Sequence, residues 1–192
     1  MDEDKTQVQP ADGELIRGYL EGDMKAFEQL YERYRKPVFA YIYSMTANAS
    51  DAEDVFQDVF FRVIRSLDRY RHRDRFYSWV VRIAHNVLGD RWRQARRRGP
   101  APQGDLAAGE ELLPDPRPGP GARAAGREAG RAIEAAVRQL PPDQREVFVL
   151  RHMEGLSFRE IAAIQRVPLN TALGRMHYAL LKLRQRLSEY QP

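Results

Sequence analysis

The sequence contains no cysteine among its 192 residues. A disulfide framework, a thiolate zinc site and a cysteine nucleophile are therefore excluded, and the composition suits a reducing compartment. No run approaches the ~18 apolar residues of a membrane span, and the polar, acidic N-terminus is unlike a signal peptide. We therefore expect a soluble, cytoplasmic protein that does not insert into a membrane.

Recognisable catalytic motifs are missing as well. The chain has no HExxH, no P-loop and no GxGxxG. Its histidines are scattered, at His72, His85, His152 and His177. We therefore predict a protein that is not an enzyme and needs neither a cofactor nor a metal.

The composition divides the chain into zones. Residues 14–98 and 128–192 are rich in apolar and charged residues at helical spacing, and no stretch alternates long enough to predict a strand. Between them, residues 99–127 are dominated by proline, glycine and alanine and lack aromatic residues. We predict an all-α protein in which a disordered tail (1–13) precedes two small helical domains joined by a flexible Pro/Gly-rich linker.

Several residues predict where helices begin, bend or end. Pro37 should kink or split the first long amphipathic helix. Ser50–Glu53 and Ser157–Glu160 match the S-x-x-E capping box, and residues 143–146 are a plausible further cap. Gly155 suits a helix C-terminus. Leucines and a methionine at three- and four-residue intervals predict that the last helix turns an apolar face to its own domain: Leu169, Leu173, Met176, Leu180, Leu183 and Leu187.

An acidic helix follows Ser50. Asp51, Asp54 and Asp58 project from one face. A metal site would need convergent ligands that are absent at bundle spacing, which leaves a solvated face or a docking face for a basic partner. Phe56, Phe60 and Phe61 cannot all enter one packing seam, so at least one should be exposed, as an interface anchor is.

A basic, aromatic segment follows, with arginines, tyrosines and Trp79 over residues 69–79 and five arginines within residues 91–98. Guanidinium groups neutralise phosphates and aromatic rings stack on unpaired bases, so we predict contact with nucleic acid. Asn86 can pair with a base edge. Trp79 is as well suited to the core as to a base, and His85 is expected to be a packed or phosphate-side residue.

The C-terminal third reads as a helix-turn-helix. A capped short helix from Ser157 is followed by a turn and a long basic helix, an arrangement that presents one helix to the DNA major groove. DNA contact is therefore predicted for the last helix.

These motifs together resemble the extracytoplasmic-function (ECF) sigma factors, the minimal class of the bacterial sigma-70 family. Residues 50–58 (SDAEDVFQD) resemble the family's polymerase-binding helix, and residues 79–90 (WVVRIAHNVLGD) its promoter-melting helix. Residues 140–151 (LPPDQREVFVLR) and 155–162 (GLSFREIA) resemble the start of region 4. Region 2 would then span residues 14–98, and region 4 would lie within 128–192.

The resemblance implies three binding surfaces. It implies that RNA polymerase core docks through its β′ clamp coiled coil on Asp51, Asp54, Gln57, Asp58 and Phe61. Capture and melting of the −10 element, with Asn86 near a flipped-out base, falls to Arg75, Phe76, Tyr77, Trp79, Arg82, Asn86, Asp90, Arg91, Trp92, Arg93, Arg96 and Arg97. Binding of the −35 element, beside contact with the β flap, falls to Ser157, Arg159, Arg166, Asn170, Thr171, Leu173, Gly174, Arg175, His177, Tyr178 and Lys182. The linker would run toward the RNA exit path, and the resemblance leaves open an anti-sigma factor as a further partner.

The recognition helix departs from the family pattern. The family usually has Gly-Thr-Val-Lys-Ser-Arg where this chain has residues 170–175, NTALGR. The missing lysine removes a phosphate contact or base reader, and Leu173 is expected either to pack or to meet a thymine methyl. Residues 165–166 also lack the turn's common glycine. The −35 preference of the family is therefore not transferable.

Two other functions compete with the sigma-factor hypothesis. A stand-alone helix-turn-helix regulator would bind duplex DNA without polymerase, but it needs neither the acidic helix nor the Arg/Trp segment. A metal-dependent nucleic-acid-processing enzyme would use the aspartate cluster. Binding to core polymerase discriminates the first alternative, and metal-dependent cleavage of DNA the second.

Overall fold

The computed structural model describes residues 9–46, 48–71, 75–98 and 130–188, which form helices and no strand. A first module contains α1 (Asp12–Leu20), α2 (Met24–Thr46), α3 (Ala49–Ser66), a 3-10 turn (Leu67–Arg69) and α4 (Phe76–Arg98). A second contains α5 (residues 130–138), α6 (Pro142–His152), α7 (Phe158–Gln165) and α8 (Leu169–Ser188). The all-α prediction is confirmed for these residues, whereas the predicted linker, 99–127, lies outside them.

Helix α2 continues through Pro37, so of the two predicted outcomes, a kink or a split, the split is wrong. Proline removes one backbone hydrogen bond and costs a helix interior about 3 kcal/mol. The residues that follow it, Val38, Tyr41 and Ile42, are fully buried. Because each large apolar side chain contributes about 1.5–3 kcal/mol on burial, packing on this face outweighs the local cost.

Helix α3 begins two residues earlier than its capping-box pattern predicts. Asn48 is the N-cap, and its side-chain oxygen accepts from the Asp51 amide at 3.3 Å. Ser50 is already inside the helix, so its predicted role as the cap is wrong. The apolar stripe of this helix is confirmed, since Val55, Val59 and Val63 are buried against α2 and α4.

Two predicted helix signals in the second module are confirmed, and one is wrong. The Ser157 hydroxyl accepts from the Glu160 amide while the Glu160 carboxylate accepts from the Ser157 amide, which is the predicted capping box. Gly155 has φ +67°, the left-handed conformation that glycine adopts without strain. Helix α6, however, starts at Pro142 after an N-cap at Pro141, so residues 143–146 form its first turn and no side-chain cap.

The last helix buries a different face from the predicted leucine stripe. Ala172, Met176, Ala179 and Leu183 form its buried side. Leu169, Leu173 and Leu180 are exposed. Small alanines allow α6 and α7 to approach α8 closely, and the leucines are displaced to the edge of the contact. The prediction that they face the core is therefore wrong for these three.

The two modules lie against each other, with α6 on α2 and α7 on α4. The sequence had predicted two helical domains joined by a flexible linker, and no local pattern predicts whether such domains touch. This packing brings the two predicted promoter-binding surfaces together.

Candidate functional site

The acidic face of α3 is exposed, as a docking face requires. Asp51, Asp54, Gln57 and Asp58 are all exposed. Phe61 ends the same face with 61% of its surface exposed. The Arg65 guanidinium lies over the Phe61 ring, 5.5 Å from its centroid. An exposed aromatic side chain beside carboxylates is the combination that anchors a basic partner at an interface.

This face is already paired with an arginine of its own module. Arg91 of α4 lies 3.6 Å from Asp54 and 3.2 Å from Asp58. Both carboxylates are exposed and Arg91 is partly exposed, so water screens the pairs and each is worth about 1 kcal/mol or less. The carboxylates are thus held in place yet easily transferred to another cation.

Side chains of α4 divide between core and surface. Phe76 is 1% exposed and packs against Tyr34, Tyr70 and Trp79. The expectation that Phe76 itself contacts DNA does not fit this burial, since the ring instead supports the helix start. Trp79 is half-buried, with one side on Tyr70. One side of Trp79 therefore packs in the core, and its remaining exposed surface is where the predicted base stacking would occur.

The remaining predicted −10 residues lie along α4 at several depths. Asp90 accepts from Arg93 at 2.6 Å and pairs with Arg62 of α3 at 3.4 Å, which leaves it a structural bridge. Arg75 and Arg97 are exposed, and Tyr77, Arg82, Asn86 and Trp92 are half-buried. The side chain of Arg96 and residues 72–74 lie outside the described residues.

A cleft of about 380 Å³ separates the start of α4 from α7. Its lining combines residues of both modules, with a charged and aromatic character: Arg75, Ser78, Trp79, Arg82, Ser157, Arg159, Glu160 and Ala163. Ser78 donates to Glu160 across it at 2.9 Å. Nearby, Arg166 donates to the Asn86 side chain at 3.1 Å. Part of the predicted −10 surface therefore faces the α7 side of the predicted −35 surface.

Arg166 makes this contact from an unusual backbone conformation. It caps α7 with φ +55°, in the left-handed region, and is the one non-glycine residue with positive φ among the described residues. The family's common glycine would adopt this conformation freely. Here an arginine occupies it and reaches the other module.

The start of α8 presents the predicted recognition surface. Asn170, Thr171, Leu173, His177 and Tyr178 are exposed. Gly174 and Lys182 are half-buried, and no neighbouring atom lies within 4 Å of where a Cβ on Gly174 would stand.

Arg175 differs from its exposed neighbours on α8. Its guanidinium donates to Gln165 at 2.8 Å and pairs with Asp143 at 2.7 Å, and its side chain is 25% exposed. Both contacts of Arg175 therefore lie within the second module, where they join α8 to α7 and α6.

Between the modules lies a buried polar cluster that sequence reasoning missed. Glu146 of α6 is 4% exposed. One carboxylate oxygen accepts from the Tyr41 hydroxyl at 2.5 Å and lies 2.7 Å from His85 Nδ1. The other accepts from Gln165 Nε2 at 2.8 Å. We name the group of Tyr41, His85, Glu146 and Gln165 the interface cluster.

The interface cluster favours an ionised carboxylate. Burial raises the pKa of Glu146, but the interactions with His85, Tyr41 and Gln165 lower it by more. The net pKa therefore lies below the ordinary value. Burial, followed by the Glu146 charge, raises the pKa of Tyr41 well above its usual value, so Tyr41 remains a donor. The only sequence signal was a glutamate next to Val147 within an apolar helix face.

Within the described residues no group of three or more carboxylates, histidines or cysteines is placed to hold a metal ion. The same residues include no helix long and apolar enough to cross a membrane.

Two family models match the chain. Residues 30–98 match sigma-70 region 2, and residues 130–183 match sigma-70 region 4.

Curated relatives resemble the chain over nearly its whole length. The RNA polymerase sigma factor CarQ of Myxococcus xanthus is 35% identical over 174 residues, covering 90% of this chain and 95% of that protein. The RNA polymerase sigma-H factor of Pseudomonas aeruginosa is 30% identical over 177 residues, covering 90% and 91%. The ECF RNA polymerase sigma-E factor of Escherichia coli K12 is 31% identical, covering 89% and 91%.

Solved structures share the fold. CnrH in complex with the cytosolic domain of CnrY is similar with a TM-score of 0.66 and 26% identity, covering 95% of this chain and 100% of that one. The sigma factor RpoE in complex with the anti-sigma factor NepR from Bartonella quintana gives a TM-score of 0.68 at 21% identity, covering 86% and 98%.

Proposed function

The chain belongs to the ECF class of the sigma-70 family, whose members direct RNA polymerase to specific promoters, and from this we propose how its residues divide the work. The observation that carries the proposal is the order of the two matched regions together with the exposed acidic face of α3. Region 2 is the first module and region 4 is the second.

In this proposal, core polymerase docks on α3. Asp51, Asp54 and Asp58 attract basic side chains of the β′ clamp coiled coil, and Phe61 anchors the contact. Exposure of all four side chains supports this role. Gln57, exposed on the same face, adds hydrogen bonding.

Helix α4 then captures the −10 element. Arg75, Arg82 and Arg97 neutralise phosphates of the non-template strand, while the free side of Trp79 stacks on an unpaired base. Asn86 reads a base edge close to the flipped-out nucleotide. The protein breaks no covalent bond: unstacking costs a few kcal/mol per step, and base capture offsets that cost.

Region 4 binds the −35 element through the N-terminal half of α8. Its exposed polar residues can reach base edges, and Leu173 offers an apolar surface to a thymine methyl. The exposed Arg159 and Arg166 lie on the α7 side of the same module and contact phosphates. Because the two sites share one chain, the second binding event gains from effective concentration.

An anti-sigma factor is the further partner in this proposal. The support is the similarity to sigma factors solved with CnrY and with NepR. Such a partner would regulate access to the surfaces described above.

Transcription in vitro tests the function. The wild-type chain, added to sigma-free core polymerase on genomic DNA fragments, should create start sites that depend on it. Asp54→Arg should abolish both core binding and these transcripts, whereas Glu28→Arg, the same charge reversal on the exposed side of α2, should preserve them. A wild-type chain that binds duplex DNA but never associates with core polymerase would instead be a stand-alone regulator.

A further inference from the structure

Resting on the proposed function, we propose that Glu146 is a latch: its carboxylate holds region 4 on region 2 and thereby keeps the promoter-reading residues of the free protein covered. The interface cluster carries this inference. Two of the three donors to Glu146, Tyr41 and His85, belong to region 2, so its hydrogen bonds are complete only while the modules are closed.

Burial makes this carboxylate decisive for the packing. An ionised group removed from water is costly unless hydrogen bonds replace its hydration. With Tyr41, His85 and Gln165 in place, Glu146 is satisfied at 4% exposure. Loss of one donor leaves a charge without its full set of partners, and the balance then shifts toward the open form, in which water reaches the carboxylate.

Closure by this latch is reversible, because water can replace the hydrogen bonds that it uses. When the modules separate, water can hydrate Glu146, Tyr41 and His85, so opening exchanges protein hydrogen bonds for water hydrogen bonds. Net differences of this kind are small compared with the gross interaction. Two conformations of comparable free energy are what a ligand or partner can select between.

Closure covers residues that the promoter needs. The Asn86 side chain accepts a hydrogen bond from Arg166 of the other module. Trp79 and Arg82 face α7 across the cleft. Arg159, which is predicted to contact the −35 element, lines the same cleft from the α7 side. The closed form thus engages part of the predicted −10 surface and the α7 side of the predicted −35 surface, while the start of α8 stays exposed.

The acidic face of α3 stays outside this closure. Asp54, Asp58 and Phe61 remain exposed while the modules are packed. The closed protein can therefore still meet core polymerase, and opening becomes a step that follows or accompanies docking.

Inter-module energy transfer in the full chain tests the latch. Because the chain has no cysteine, Glu28→Cys and Gln185→Cys place dyes on exposed positions of α2 and α8 alone. The test variants are Tyr41→Phe, His85→Ala and Glu146→Gln. Tyr31→Phe is the matched control, since Tyr31 lies in α2 but packs on Phe56 and Phe60 of α3. Circular dichroism verifies that each variant keeps its helices.

We expect the three latch variants to lower energy transfer and to bind a mixed-sequence single-stranded oligonucleotide more tightly, by about tenfold if roughly one wild-type molecule in ten is open. The control should match the wild type in both measurements. Unchanged transfer in all three folded variants would overturn the latch, and so would lower transfer with unchanged oligonucleotide affinity. Failure of the proposed function is separate: it would show as absent core binding, whatever the transfer efficiency.

Discussion

Arg91 of α4 and Asp58 of α3 form an ion pair of 3.2 Å, with Asp54 at 3.6 Å from the same guanidinium. The pair joins a residue predicted to bind promoter DNA to residues predicted to bind polymerase. If a basic group of the polymerase takes over the two carboxylates, Arg91 is released toward phosphate. The geometry thus places one side chain between the two predicted binding surfaces.

Arg91→Ala should weaken promoter binding by the holoenzyme and reduce its salt dependence. Loss of one phosphate contact lowers the slope of log K against log salt by about one. Core binding should be unchanged or stronger, because Asp54 and Asp58 lose a competing partner. Arg35→Ala, which removes a partly exposed arginine from α2, is the control. A promoter salt slope equal to the wild type would remove Arg91 from the DNA contact.

Asn48→Ala should lower the free energy of unfolding by about 1 kcal/mol, the usual value of a helix N-cap. Ser50→Ala should be nearly neutral, because Ser50 already lies in the first turn of α3. Urea denaturation of both variants measures the difference. The opposite ranking would restore Ser50 as the cap.

Leu173→Lys should strengthen DNA binding by the holoenzyme and steepen its salt dependence by about one. The exposed Leu173 stands where the family carries lysine, and a new cation there can reach phosphate. Leu20→Lys adds the same charge to an exposed position of α1 and should leave the slope unchanged. If Leu173 instead reads a thymine methyl, Leu173→Lys will also change the preferred −35 sequence, which promoter selection detects.

The stability that Glu146 contributes should disappear in acid. Its folded-state pKa is depressed: burial raises it, but the hydrogen bonds with His85, Tyr41 and Gln165 lower it more. The contribution is therefore complete above the ordinary value of 4.5 and is lost as pH falls through the lower folded-state pKa. Glu146→Gln should cost about 1–3 kcal/mol near neutral pH and progressively less below that range.

Denaturation of both proteins across this range measures the difference between wild type and Glu146→Gln. Glu28→Gln, the same substitution at an exposed position of α2, is the control. A constant difference for Glu146→Gln down to strong acid would contradict the lowered pKa.

Local chemistry made several features predictable from sequence. The Ser157 capping box depends on residues three apart, and the α3 stripe of Val55, Val59 and Val63 on helical period alone. The Asn48 cap was missed because two overlapping caps, Asn48 and Ser50, compete within three residues. The backbone conformation of the residues before α3 determines which of the two side chains caps the helix.

Long-range packing explains the rest. Tyr41 and Glu146 are 105 positions apart, and no local pattern pairs them. The burial of Phe76 and the displacement of Leu169, Leu173 and Leu180 likewise depend on which helices approach. The roles assigned to the α3, α4 and α8 surfaces are still predictions, which the variants above test.

The backbone of Arg166 gives the turn before the recognition helix a second task. A left-handed conformation costs a side-chain-bearing residue about 1–2 kcal/mol, and glycine would avoid that cost while losing the reach to Asn86. The connection between α7 and α8 therefore carries a side chain whose partner, Asn86, is within reach only while the two modules are packed. When the contact with Asn86 is broken, nothing outside the second module holds the Arg166 side chain. A change in the backbone at Arg166 would then shift the start of the recognition helix, which lies three residues further on.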